Sequence, residues 1–259
     1  MNIQHINLVW FQAGLGILAS FLFSFSVFAQ SLTIAAASDL KFALSEVKTA
    51  FLQSYPQAKV RVVYGSSGKF AQQIENGAPF DLYFSASIVY PQRLVERGFA
   101  ATKPQLYALG KIVLWSSRLK ASEVSLMDLA KPQFRRIAIA NPIHAPYGLA
   151  AKAALKSAGV WQAVEPKLVM GENIAQTAQM IEMGGADIGV IALSLALSPR
   201  LSQRGGYGEI PQKWYPPLRQ AFIVTRYGEK NPLAYDFVKF LATKSAQKIM
   251  KKYGFELPQ

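Results

Sequence analysis

Two short segments of the chain share a build that could seat an anion. In Leu32-Thr33-Ile34-Ala35-Ala36-Ala37-Ser38-Asp39-Leu40 a β-rich run breaks at serine, and the apolar spacing Leu40, Leu44, Val47, Phe51 of a helix follows directly. In Val60-Arg61-Val62-Val63-Tyr64-Gly65-Ser66-Ser67-Gly68-Lys69 the same change occurs ahead of Phe70 and Ile74. Serine at a helix start sits among backbone N–H groups that have no intrahelical acceptor. The helix dipole adds partial positive charge at that end, so each segment is a candidate anion seat. Two more helix starts match. Asn141-Pro142-Ile143-His144-Ala145-Pro146-Tyr147-Gly148 leads into an apolar helix pattern, and Met170-Gly171-Glu172-Asn173-Ile174 places Asn173 at a cap position. Any one of the four is explained by capping alone; four, alternating with strands, point to a shared cleft.

The usual catalytic sets are absent or poor. His144 is the only histidine beyond the first 29 residues and there is no cysteine, so two-histidine metal sites, histidine relays and thiolate chemistry are excluded there. Gly65-Ser66-Ser67-Gly68-Lys69 looks like part of a phosphate loop, but that motif needs Gly at 63 and Ser or Thr at 70, where this chain has Val63 and Phe70. A hydrolase using His144 with Ser38 or Ser67 is the competing reading from another class.

The elements that must position these residues alternate between strand-like and helix-like stretches, which argues for an α/β protein with mainly parallel sheets. Strands are predicted over 60–64, 81–85, 111–115, 136–140 and 188–192. Helices are predicted over 40–54, 69–76, 88–97, 148–158, 174–183 and, as one long element, 232–252, with Gly254 as its stop. Gln73-Ile74-Glu75-Asn76-Gly77-Ala78-Pro79-Phe80-Asp81-Leu82 is echoed by Met180-Ile181-Glu182-Met183-Gly184-Gly185-Ala186-Asp187-Ile188, as two similar lobes would require. Residues 109–116 and 218–225 are β-rich runs reached from Pro-containing loops, suited to be crossing strands at the base of a cleft.

Residues 1–29 contain no Lys, Arg, Asp or Glu and end Ser26-Val27-Phe28-Ala29-Gln30, with small residues at the minus-three and minus-one positions of a cut after Ala29. This reads as a secretory signal peptide lacking the usual basic start; an uncleaved anchor is the alternative, since a span needs about 20 apolar residues. All 28 Lys and Arg and all 15 Asp and Glu lie beyond it, giving a formal charge of +13. Such a field draws anions inward. The basic residues are dispersed and not interleaved with aromatics, so nucleic acid is not the expected partner.

With these residues assembled, the chain resembles the periplasmic molybdate-binding proteins, the soluble receptors of ABC importers. The resemblance rests on Ala35-Ala36-Ala37-Ser38-Asp39-Leu40, Gly65-Ser66-Ser67-Gly68, the segment Gln73 to Asp81, Ala145-Pro146-Tyr147-Gly148 and the closing Tyr253-Gly254-Phe255, in the family's order. It implies a two-lobed periplasmic-binding-protein fold, each lobe a mainly parallel sheet flanked by helices. Lobe I would comprise 30–109 and 221–259, and lobe II 110–220. It further implies a non-enzymatic, monomeric periplasmic receptor with no cofactor, whose ligand is molybdate or tungstate and whose partner is a cognate permease in the inner membrane. Another tetrahedral oxyanion, sulfate or phosphate, is the alternative ligand. Carried over by position, Ser38 and Ser67 each give a hydroxyl and a backbone N–H. The Asp39 amide donates while its carboxylate turns away or caps its own helix, and Tyr147 and Ile174 give backbone N–H groups. Some family members have a tyrosine hydroxyl where this chain has Ala192; the tyrosine at Tyr147 is the implied compensation.

Overall fold

The computed structural model describes residues 31–258. The expected signal peptide, with its cut after Ala29, lies outside the described residues. Among them, no helix is long and apolar enough to cross a membrane.

The first sheet begins with β1 (Ser31–Ala37), which passes through a short 3-10 turn at Ser38–Leu40 into α1 (Lys41–Ser54). Then follow β2 (Lys59–Gly65), α2 (Ser67–Glu75), β3 (Leu82–Ser85), α3 (Val89–Glu96) and β4 (Gln105–Gly110). Only Lys111 separates β4 from β5 (Ile112–Ser116), the first strand of the second sheet. That sheet continues with β6 (Ile137–Ala140), α4 (Pro146–Ser157), α5 (Trp161–Val164), β7 (Leu168–Gly171) and α6 (Ile174–Glu182). It closes with β8 (Ile188–Ala192), α7 (Leu193–Ala196), α8 (Pro199–Ser202) and β9 (Gly206–Glu209). The chain returns as β10 (Leu218–Val224) and ends in α9 (Pro232–Leu241) and α10 (Lys244–Lys252).

Strand order is β2-β1-β3-β10-β4 in one sheet and β7-β6-β8-β5-β9 in the other, the same pattern twice. In each, four strands run in one direction, as expected for a mainly parallel sheet, and the fourth in order, β10 or β5, runs against them, which makes the sheet mixed. The reversed strands are those the chain enters from the other sheet, β5 after β4 and β10 after β9, with no helical crossover between them. The outgoing crossing falls within 109–116 as expected. The return does not: β10 lies wholly in the first sheet, and the crossing is made by the Pro216-Pro217 loop ahead of it. β10 therefore straddles the boundary expected at 220/221.

The sequence echo is structural. Gly77 and Gly184 both have positive φ, +83° and +78°, which a side chain would strain. Asp81 and Asp187 then open β3 and β8. The Asp81 carboxylate accepts from Thr33 N at 2.7 Å, and that of Asp187 accepts from Arg135 N and Arg136 N at 2.8 and 2.9 Å. Each pins the entry of one strand to the entry of its parallel neighbour.

Strand alternation divides the first lobe's core. Leu32, Ile34 and Ala36 point to one face, where α1 (Leu44, Val47, Phe51), α9 and α10 pack; Ala35 points to the other, with Phe70, Ile74, Tyr83 and Leu94. The long C-terminal helix expected over 232–252 is two helices. Thr243 breaks it, its hydroxyl accepting from Ala246 N at 3.3 Å as the cap of α10. The turn lets Phe237 and Met250 reach the same core. Gly254 ends α10 at φ +75°.

Candidate functional site

Parallel strands deliver their carboxyl ends, and the helices that follow, to one edge of a sheet. Here the two edges face each other. Ser38 and Asp39 follow β1, Ser66 and Ser67 follow β2, Ala145, Pro146 and Tyr147 lie at the start of α4, and Ile174 opens α6; with Ala37, Gly65 and Ala86 these residues line one small buried cavity. All five expected site residues, Ser38, Asp39, Ser67, Tyr147 and Ile174, are thus brought together from four separate helix starts. No lysine, arginine or histidine contributes to that lining. Ser67, Tyr147 and Ile174 fall in the first turn of α2, α4 and α6. Among the described residues their N–H groups donate to no backbone acceptor.

The side chains are engaged in ways the sequence did not reveal. The Ser38 hydroxyl donates to Asn173 Oδ1 at 3.0 Å and accepts from Ala175 N at 3.1 Å, tying the first lobe to the start of α6. Asn173 also caps α6 as expected, accepting from Gln176 N. Ser67 Oγ accepts from Ala86 N at 3.0 Å, which leaves its own proton free to donate. The carboxylate of Asp39 does not cap its helix. Its Oδ2 accepts from the Tyr147 hydroxyl at 3.0 Å and from Gln220 Nε2 at 2.8 Å, while the buried Oδ1 has no partner. The Tyr107 hydroxyl completes the chain by donating to Gln220 Oε1 at 2.6 Å. Burial, opposed by the Gln220 and Tyr147 hydrogen bonds, pushes the Asp39 carboxyl up to about 6. Because the Tyr147 hydroxyl is taken by Asp39, it is not free to stand in for a hydroxyl at Ala192, which is buried at the end of β8. Gln220 and Tyr107 carry no sequence signal: they sit on the strands flanking the crossings and become site residues only through tertiary placement.

His144 meets neither Ser38 nor Ser67. Its Nδ1 lies 2.9 Å from Ser66 Oγ and its Nε2 3.6 Å from Glu172, which forms an ion pair with Lys69. A serine, a histidine and a glutamate in line suggest a relay, but an orienting carboxylate must be held by the histidine. Glu172 is half-exposed and shared with Lys69, and burial followed by the Lys69 charge outweighs it, holding the imidazole below its ordinary range. The loop's structural role is clearer. Gly68 N donates to His144 O at 2.9 Å, and a Cβ on Gly68 would fall 2.8 Å from that oxygen. Only glycine lets the two lobes approach so closely.

Comparison with known proteins agrees with this arrangement. The profile of the family described as bacterial extracellular solute-binding protein matches residues 32–256. The molybdate-binding protein ModA of Azotobacter vinelandii is 36% identical over 200 residues, covering 77% of this chain and 79% of its own. That of Rhodobacter capsulatus is 35% identical, covering 76% and 77%. The solved periplasmic molybdate-binding protein of Azotobacter vinelandii superposes with a TM-score of 0.83 at 30% identity, covering 88% of this chain and all of that one. The paired mixed sheets, the facing helix starts and the match across nearly the whole described chain lead to one conclusion: this protein belongs to the bacterial extracellular solute-binding proteins.

Proposed function

We propose that the protein captures molybdate, and tungstate equally, outside the cytoplasm and delivers it to an ABC permease in the inner membrane. The observation that carries the reading is the convergence of four helix starts, two from each lobe, on one cavity whose lining holds no cationic side chain. A tetrahedral dianion there is held by the N–H groups of Ser38, Asp39, Ser67, Tyr147 and Ile174, by the Ser67 hydroxyl, and by the Ser38 hydroxyl once its proton turns from Asn173 Oδ1 to the ligand. About seven charge-assisted hydrogen bonds, at about 1.5–3 kcal/mol each, offset much of the dianion's desolvation cost. Fixed backbone donors gauge size more strictly than flexible lysines, so molybdate and tungstate, nearly equal in size, bind alike and the smaller sulfate is rejected. The relatives named as molybdate-binding support the ligand class.

The two lobes expected over 30–109 with 221–259 and over 110–220, with their second boundary moved ahead of β10 so that the strand stays whole in the first lobe, close over the ligand. Export by the N-terminal segment places the monomeric protein in the periplasm; it needs no cofactor and no nucleic acid, and the oxyanion is cargo. Titration calorimetry with molybdate, tungstate, sulfate and phosphate tests the reading: heat and saturation with the first two alone support it, and equal binding of sulfate makes the protein a general oxyanion receptor.

A further inference from the structure

The small cavity adjoins two wider openings between the lobes, and their chemistries differ. One, of about 330 Å³, shares Ala86 and Pro146 with the cavity and lies beside the return crossing; its walls are mostly apolar, with Val89, Leu149, Pro216 and Pro217, and carry one exposed cation, Arg219. The other, of about 540 Å³, shares Ser38 and carries Lys41, Arg61 and Arg200 around its walls. Its single carboxylate, Glu182, is taken by Arg200 through two hydrogen bonds of 3.0 and 2.9 Å. Lys41 and Arg61 form no ion pair among the described residues, and both are exposed.

Helix stability does not explain Lys41. It is the first residue of α1, the positive end of the dipole, where a cation is disfavoured and no acidic residue offsets it. Arg61 stands on β2, the edge strand of its sheet, with its charge at the same opening. Two uncompensated cations, with Arg200 beside them, at the mouth that adjoins Ser38, set against a lone Arg219 among proline and aliphatic walls at the other, favour one route for a dianion.

We propose that the wide opening is the entry vestibule of the oxyanion, and that Lys41 and Arg61 set its rate of capture without touching it once bound. A unit charge acting on a dianion across about 10 Å of water changes the encounter rate by about fourfold. Reversing the charge doubles the exponent, to about tenfold or somewhat more per residue at low salt. The Debye length is about 10 Å at 0.1 M, so most of the effect vanishes at about 0.5 M.

The test is stopped-flow fluorescence with molybdate across a salt series, on the parent, Lys41→Glu, Arg61→Glu, the neutral pair Lys41→Gln and Arg61→Gln, and Lys244→Glu. The last makes the same change in net charge at the start of α10, away from the vestibule. The expected result is association about tenfold slower for each vestibule reversal at low salt, about fourfold slower for each neutral change, little change for Lys244→Glu, and dissociation rates within about twofold of the parent. Reversals that slow association no more than Lys244→Glu does overturn the proposal. So does a slowing that persists at high salt or appears in the dissociation rate. The proposal rests on the oxyanion-receptor reading, and the two fail differently: a parent that binds molybdate at a salt-independent rate overturns the vestibule alone, whereas a parent that binds no oxyanion overturns both.

Discussion

Asp39→Asn is the most informative single change. In the folded protein burial holds the Asp39 carboxyl near 6, against 3.8 for the free side chain. The folded state therefore binds a proton that the unfolded state releases between about pH 4 and 6, and stability falls as pH rises through that window. A shift of about 2 units corresponds to about 3 kcal/mol lost above pH 6. Asparagine keeps an oxygen for the Tyr147 hydroxyl and Gln220 Nε2 and removes the charge. At pH 8 the unliganded variant should be more stable by up to about 3 kcal/mol, which for a chain of this size raises Tm by about 6–10 °C. Near pH 4 the two proteins should melt together. Calorimetric melts of both across this range check the slope as well as the offset. A variant no more stable at pH 8 than at pH 4, relative to the parent, would show that the carboxylate is not desolvated as the structure indicates. The same variant should bind molybdate more tightly at pH 8, since an ionised carboxylate no longer faces a dianion in one cavity; weaker binding would refute that repulsion.

Ser38→Ala and Ser67→Ala should each weaken molybdate binding by about 30- to 150-fold in titration calorimetry, the equivalent of about 2–3 kcal/mol for a donor lost to a buried dianion. Molybdate at about 100 times its Kd should add about 2.7 kcal/mol to stability, visible as a raised Tm, and equimolar sulfate should add none. Gly68→Ala should lower the unliganded Tm by about 2–10 °C in calorimetric melts, because its Cβ would sit 2.8 Å from His144 O and overpacking of that kind costs about 1–3 kcal/mol. His144→Ala should cost about fivefold in affinity or less, because it removes the imidazole's hydrogen bond with Ser66 and its long contact with the exposed Glu172 and keeps the backbone bond to Gly68; turnover of activated esters by the parent that vanishes in the variant would favour the hydrolase reading instead.

Residues close together along the chain were legible from the sequence. The helix starts at Ser38, Ser67, Tyr147 and Ile174 announce themselves because a strand, a capping residue and an apolar helical period are local features, and the repeat ending in Asp81 and Asp187 reports two alike lobes for the same reason. Thr243 carried its own capping signal, yet the continuous apolar pattern over 232–252 masked it; only the demand that Phe237 and Met250 fill one core turns the helix there. The antiparallel strands beside the crossings, and the fact that the Pro216-Pro217 loop rather than β10 makes the return, depend on how the two sheets are joined. The site's second layer is tertiary throughout. Asp39, Tyr147, Gln220 and Tyr107 lie on four different elements, and nothing local to any of them states that one carboxylate oxygen takes two donors while the other takes none. Backbone donors at helix starts follow from where helices begin, which sequence dictates; the partners of side chains follow from which surfaces meet, which only the packing of the two lobes against each other decides.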